Sequence, residues 1–123
     1  MNQADLKERT MAFALGVSTL CRHLGGEWPQ RRLADQLFRS ATSIAANYHA
    51  ATRARSRREF LSKLGLVAEE AEETVFWLEF ARRAEFTTAG RSDALIQEAR
   101  QLLAIFTSSL KTVAANMDRR DVR

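Results

Sequence analysis

The sequence predicts an all-α protein, an antiparallel up-down-up-down four-helix bundle, and three observations carry that expectation. One proline and five glycines in 123 residues are too few for strand-and-turn architectures, which need a turn signal every ten residues or so. Apolar residues recur at spacings of three and four in four separate stretches. The breaks between them, near residues 25–28, 53–56 and 86–91, are short, and short connections force consecutive helices to lie antiparallel. A hydrophobic content of 46% suffices for one core, so the chain reads as a single domain over 1–123. The rival architecture is a long α-hairpin that completes its core by dimerising.

The first helix, over about 5–25, carries Leu6, Thr10, Phe13, Val17, Leu20 and Leu24 on one stripe. Asp5 with Glu8 reads as a capping box at its start, and Gly25-Gly26 offers the positive-φ residue that ends it. The second, over about 29–53, opens at Pro29, whose missing N–H would have had no partner in a first turn. Its stripe is Leu33, Leu37, Ala41, Ile44 and Tyr48. The third, over about 56–85, begins with a Ser56/Glu59 capping box. It runs through Phe60, Leu64, Val67, Ala71, Val75 and Leu78. The fourth, over about 92–117, carries Leu95, Ala99, Leu102, Phe106, Leu110, Val113 and Met117. Helices of this size would be roughly 28 to 43 Å long at 1.5 Å per residue.

The lone Cys21 has no intrachain disulfide partner, and MNQADLKERT lacks the basic-then-apolar layout of a signal peptide, so a cytoplasmic location is expected. Every apolar run is broken by charge within a turn or two, which argues against a membrane span. Net charge is +4, which permits contact with nucleic acid without requiring it. The charge is polarised: Arg31 to Lys63 holds eight cations against Asp35 and Glu59, whereas Glu69 to Glu85 holds six glutamates against Arg82 and Arg83.

Beside the stripe of the second helix runs a polar line, Gln36, Ser40, Ser43 and Asn47. Serine and asparagine are poor interior helix formers. Two readings fit: a small-residue seam with hydroxyls bonded back to the preceding turn, or hydrogen-bonded contact with the third helix or another subunit. On the third helix Glu69, Glu70, Glu72 and Glu73 repel one another at helical spacings. Arg9 and Arg39 are the natural cations to relieve them, within the bundle or across an interface, with Glu70 and Glu73 pointing along the Trp77 side. Some of these glutamates could equally face water.

Catalytic chemistry finds little support. A di-metal bundle site uses Glu-x-x-His, and neither His23 nor His49 has a glutamate three residues before it. Cys21 adjoins the first apolar stripe, as a buried, inert thiol would. No Gly-rich phosphate loop occurs. The expectation is a non-enzymatic chain with no cofactor and no metal. The densest functional feature is the second turn, where Arg53, Arg55, Arg57, Arg58 and Lys63 face the single acid Glu59. Arginines beside a helix N-terminus suit phosphates, whereas the bland alternative is a solvated turn with a Glu59–Lys63 pair. Phe60, a core candidate, is the sole aromatic there, so base-specific stacking is not expected.

Three runs carry a resemblance: Gln36-Leu37-x-Arg39-Ser40-Ala41-x-Ser43-Ile44-x-x-Asn47, Glu59-Phe60-x-x-Lys63-Leu64, and Glu70-Ala71-x-Glu73-Thr74-x-x-Trp77-Leu78. With these the chain closely resembles the bacterial four-helix-bundle family encoded in intervening sequences of 23S rRNA genes, from Asp5 onward. The resemblance implies a homopentameric bundle with suspected RNA or DNA binding and no enzymatic activity. That family is similar in fold to the accessory proteins of diversity-generating retroelements, which bind nucleic acid and a reverse transcriptase, so a protein partner is a second expectation. The chain departs from the family at His49, where an acidic or basic residue often stands, and in its arginine-dense second turn.

Overall fold

The computed structural model describes residues 1–121; residues 122 and 123 of the predicted domain lie outside the described residues. Four helices follow in order, α1 (Gln3–Cys21), α2 (Trp28–Thr52), α3 (Arg57–Arg83) and α4 (Ala89–Asp121). Each packs on its neighbours in sequence, and α4 returns to α1 to close the ring along the least extensive of the four seams. The fold is the expected all-α four-helix bundle.

The helix ends show where local chemistry departs from the expected boundaries. The α1 capping box is formed by Asn2 and Asp5, not Asp5 and Glu8. Asn2 Oδ1 accepts from the Asp5 N–H at 2.9 Å and Asp5 Oδ2 from the Asn2 N–H at 3.1 Å, so α1 starts earlier. It also ends earlier, because Arg22, His23 and Leu24 donate their N–H groups to the carbonyls three residues back. That tighter turn tucks Leu24 into the core. Gly25 then takes φ +113° in the loop, a value that a Cβ disfavours.

Pro29 stands in the first turn of α2, as expected. At α3, Ser56 Oγ accepts from the Glu59 N–H at 3.0 Å, while the Glu59 carboxylate reaches the Arg55 N–H at 3.1 Å. The box is therefore made one residue wider than the usual reciprocal pair. α3 closes in a Schellman motif, with Phe86 N–H on the Ala81 carbonyl and Glu85 N–H on that of Arg82. Glu85 takes φ +62° at the position usually given to glycine.

All eleven stripe positions of α1 and α2 are buried. On α3 Thr74 is buried where Phe60 and Val75 are only partly so, and on α4 Ile96 is buried where Leu95, Leu110, Val113 and Met117 are only partly so. Tyr48 and Phe106 meet in the interior with ring centroids 5.4 Å apart. At the α1–α4 seam Leu95 Cδ2 fills the space beside Gly16, 3.0 Å from where a Cβ would stand.

Candidate functional site

Helix alternation places the α2–α3 turn at the end of the bundle that also holds the start of α1 and the end of α4. There Arg53, Arg55, Arg57 and Arg58 are exposed and Lys63 is half-buried. Among the described residues none of the five has a carboxylate within 4.0 Å. Glu59, the acid within the cluster, is occupied with the Arg55 backbone instead. By position in the helices the same end also holds Lys7, Lys111 and Arg119 against Asp5, Glu8 and Asp118. The five cations of the turn thus make no ion pair of their own among the described residues, and such exposed cations can exchange counterions for phosphates.

The remaining sequence-selected residues gather along α2 and α3. Arg39 bonds Glu73 at 2.7 Å and approaches Glu70 at 3.5 Å, and Trp77 Nε1 donates to Glu73 at 3.2 Å. Burial alone would raise Glu73, but the hydrogen bonds from Trp77 and Arg39 outweigh it and hold its carboxyl below the usual carboxylate value. At Glu70 burial wins over the Arg39 charge and the carboxyl is pushed up; its Oε2 is buried with no hydrogen-bond partner. Burial at Glu70 and the Trp77 and Arg39 hydrogen bonds at Glu73 thus drive the two glutamates apart in acidity.

The polar line of α2 divides. Ser40 is fully buried, with Oγ 2.9 Å from Thr74 Oγ1 of α3 and 3.3 Å from its own Leu37 carbonyl. Asn47 donates back to the Ser43 carbonyl at 2.9 Å. Gln36 is exposed and Ser43 half-exposed, and neither side chain makes a hydrogen bond among those described. Both readings of the line therefore hold in part, an interhelix bond at Ser40 and backbone bonding at Asn47. The expected stripe passed through Val75 and missed Thr74, although Thr74 stands three residues after Ala71 and four before Leu78, a spacing that could have found it.

Arg9 does not reach the α3 glutamates. Its guanidinium grips Glu98 of α4 at 2.6 and 2.7 Å and Gln101 at 2.8 Å. It closes the α1–α4 seam, while Arg82–Asp93 at 3.2 Å and Arg100–Glu79 tie α3 to α4. Cys21 is partly buried, 3.6 Å from the Ala34 carbonyl, and burial, aided by the Asp35 charge, pushes its thiol up to about 11. Among the described residues no helix is long and apolar enough to cross a membrane.

A family profile described as "23S rRNA-intervening sequence protein" matches residues 2–108. Among solved structures, a protein of unknown function from the S23 ribosomal protein family of Bacteroides thetaiotaomicron is 31% identical, with a TM-score of 0.82. That match covers 90% of this chain and 99% of the other. None of the curated proteins matches.

Proposed function

Because the chain belongs to the 23S rRNA-intervening sequence protein family, we propose that it is a non-enzymatic, self-associating bundle that binds RNA or DNA phosphates through the α2–α3 turn. One observation supports this above the others: Arg53, Arg55, Arg57, Arg58 and Lys63 stand together without an acidic partner within 4.0 Å. Elsewhere Arg9, Arg39, Arg82 and Arg100 all hold carboxylates. Exposed Arg22, Arg32 and Arg83, like the turn's cations, have no carboxylate within 4.0 Å among the described residues, and what sets the turn apart is that five such cations stand within eleven residues. Phe60, the aromatic residue among them, packs against the core, which fits phosphate contact with weak choice of sequence. Assembly, in five copies as the family resemblance implies, would multiply the basic surface and hence avidity.

The test is the salt dependence of binding to labelled single-stranded RNA. Five phosphate contacts per subunit correspond to a slope of about −3.5 in log K against log salt. The Arg55→Ala/Arg57→Ala/Arg58→Ala variant should be shallower by about 2 units; an unchanged slope and affinity would end the proposal. A second reading, a scaffold for a protein partner that binds no nucleic acid, is favoured by the aromatic rings that α3 exposes at Phe76 and Phe80. It predicts no RNA binding at near-physiological salt.

A further inference from the structure

Trp28 begins α2 and is 69% exposed, more than any other aromatic ring of the described residues. Its neighbours are cationic. Arg31 and Arg32 follow at three and four residues, so both stand on its side of α2, and Arg22 caps α1 where the chain enters the α1–α2 loop. All three arginines are exposed, and none has a carboxylate within 4.0 Å among the described residues. Glu27 and Asp35 are the acids beside them. Arg31 donates to the Gly26 carbonyl of the loop, and Asp35, a turn further along the same side, takes neither arginine. A depression of about 480 Å³ is lined by Trp28, Arg31, Arg32, Asp35, Cys21 and Ala34. By position in the helices the same end of the bundle carries Arg83 and Arg91 against Glu85, while Arg82 and Asp93 pair with each other.

An indole set among arginines is unlike a docking patch for another protein, which needs contiguous apolar surface. The exposed large apolar residues nearest along these two helices are Leu15, six residues before Cys21, and Phe38, ten after Trp28. They lie about 9 and 15 Å away along the helices. What this end offers is a flat π-face with guanidinium donors at its edge. That combination suits an unstacked nucleobase and the phosphates attached to it. The base itself is uncharged, so Asp35 does not repel it, and a carboxylate can accept from a base amino group.

We propose that Trp28, Arg31 and Arg32 form a base-stacking site for single-stranded nucleic acid, with the indole against a base and the guanidinium groups on the flanking phosphates. The inference rests on the nucleic-acid binding put forward above and adds a second contact of a different kind. The whole of α2 separates Trp28 from Arg53, about 37 Å of helix, so this site is distinct from the basic turn. The turn supplies dense charge without an exposed ring, and this end supplies the ring with a smaller excess of charge. Stacking tolerates any base, because every base has a π-face, so choice of sequence stays weak. It does discriminate between single strands and duplex, whose bases are already stacked on one another.

Tryptophan emission and binding isotherms on the full chain test the site. The chain has two tryptophans, so in a Trp77→Phe background Trp28 is the lone indole. A mixed-sequence single-stranded RNA should quench its emission, and a duplex of the same sequence should not. Trp28→Ala should weaken single-strand binding by about 5- to 150-fold while leaving the salt slope and the duplex affinity unchanged. Trp28→Phe keeps a ring and should recover most of that loss. Arg31→Gln/Arg32→Gln should instead make the salt slope shallower by about 1.4. Helical circular dichroism should be the same in all of these variants, since the replaced side chains at 28, 31 and 32 are exposed. Equal single-strand affinity of wild type and Trp28→Ala, or binding that leaves Trp28 emission unchanged, overturns the stacking site but leaves the basic turn standing. Emission that shifts with protein concentration in the absence of RNA puts Trp28 in a contact between copies and also overturns it. A wild type that binds no RNA at near-physiological salt overturns both readings.

Discussion

The buried hydroxyl pair between α2 and α3 yields a prediction whose ordering, not only its size, follows from the geometry. Thr74 Oγ1 lies 2.7 Å from the Glu70 carbonyl and 2.9 Å from Ser40 Oγ, and Ser40 Oγ lies 3.3 Å from the Leu37 carbonyl. Each hydroxyl has one proton. Both short contacts are made together only when Ser40 donates to Thr74 and Thr74 donates to the Glu70 carbonyl. Thr74→Val keeps the shape but leaves the fully buried Ser40 with the long Leu37 contact alone, so it should cost about 1–3 kcal/mol, the penalty of a stranded polar group. Ser40→Ala leaves Thr74 bonded to Glu70 and should cost less than about 1 kcal/mol. The double variant strands nothing, so it should be more stable than Thr74→Val alone. Urea denaturation at one fixed protein concentration, which keeps assembly constant, measures all four corners of the cycle. A double variant destabilised by the sum of the two singles would refute the reasoning, because it would mean the hydroxyls act independently.

The split acidity of Glu70 and Glu73 should appear as opposite responses. Glu73, held below its unfolded value of about 4.3, stabilises above that pH and loses its contribution as pH falls through its folded value. Glu70 is raised, so its cost appears as pH rises past about 4.3. At pH 7 Glu73→Gln should lower the urea midpoint and Glu70→Gln should leave it unchanged or raise it; the reverse order would contradict the assignment. Cys21, with its thiol at about 11, should react with iodoacetamide at pH 8 about two hundredfold slower than an unfolded thiol of pKa about 8.5. A mass-spectrometric time course at equal rates would count against the burial account. Glu85→Gly removes a side chain from φ +62° and should stabilise by up to about 1 kcal/mol. Gly65→Ala, where a new Cβ meets nothing within 4 Å, should add about 0.5–1 kcal/mol. Thermal melts read both, and a lowered melting temperature in either contradicts the backbone argument.

The stripes, Pro29, the Ser56 cap and the number of helices were legible in the sequence because each is set by neighbours within one or two turns. The early end of α1 was less so. Gly25-Gly26 marked the loop, but the burial of Leu24, a tertiary demand, tightened the last turn before it. The basic turn was legible as well, since five cations on eleven residues need no fold to be near one another. That Glu59 does not pair with their side chains is also local, because its carboxylate caps the Arg55 N–H four residues back.

Arg9 marks the boundary most clearly. Its charge and place on the first helix were plain, but its partner was not, because Glu98 is 89 residues away and nothing local distinguishes it from the glutamates of α3. Only the closure of α4 on α1 brings the two within 2.6 Å. The sequence by itself determined four amphipathic helices and their order, since periodicity and capping act over a few residues. The tertiary structure decided which charges are consumed at seams and which are left outward. That depends on how each helix is rotated against its neighbours, a choice made by the packing of the whole core.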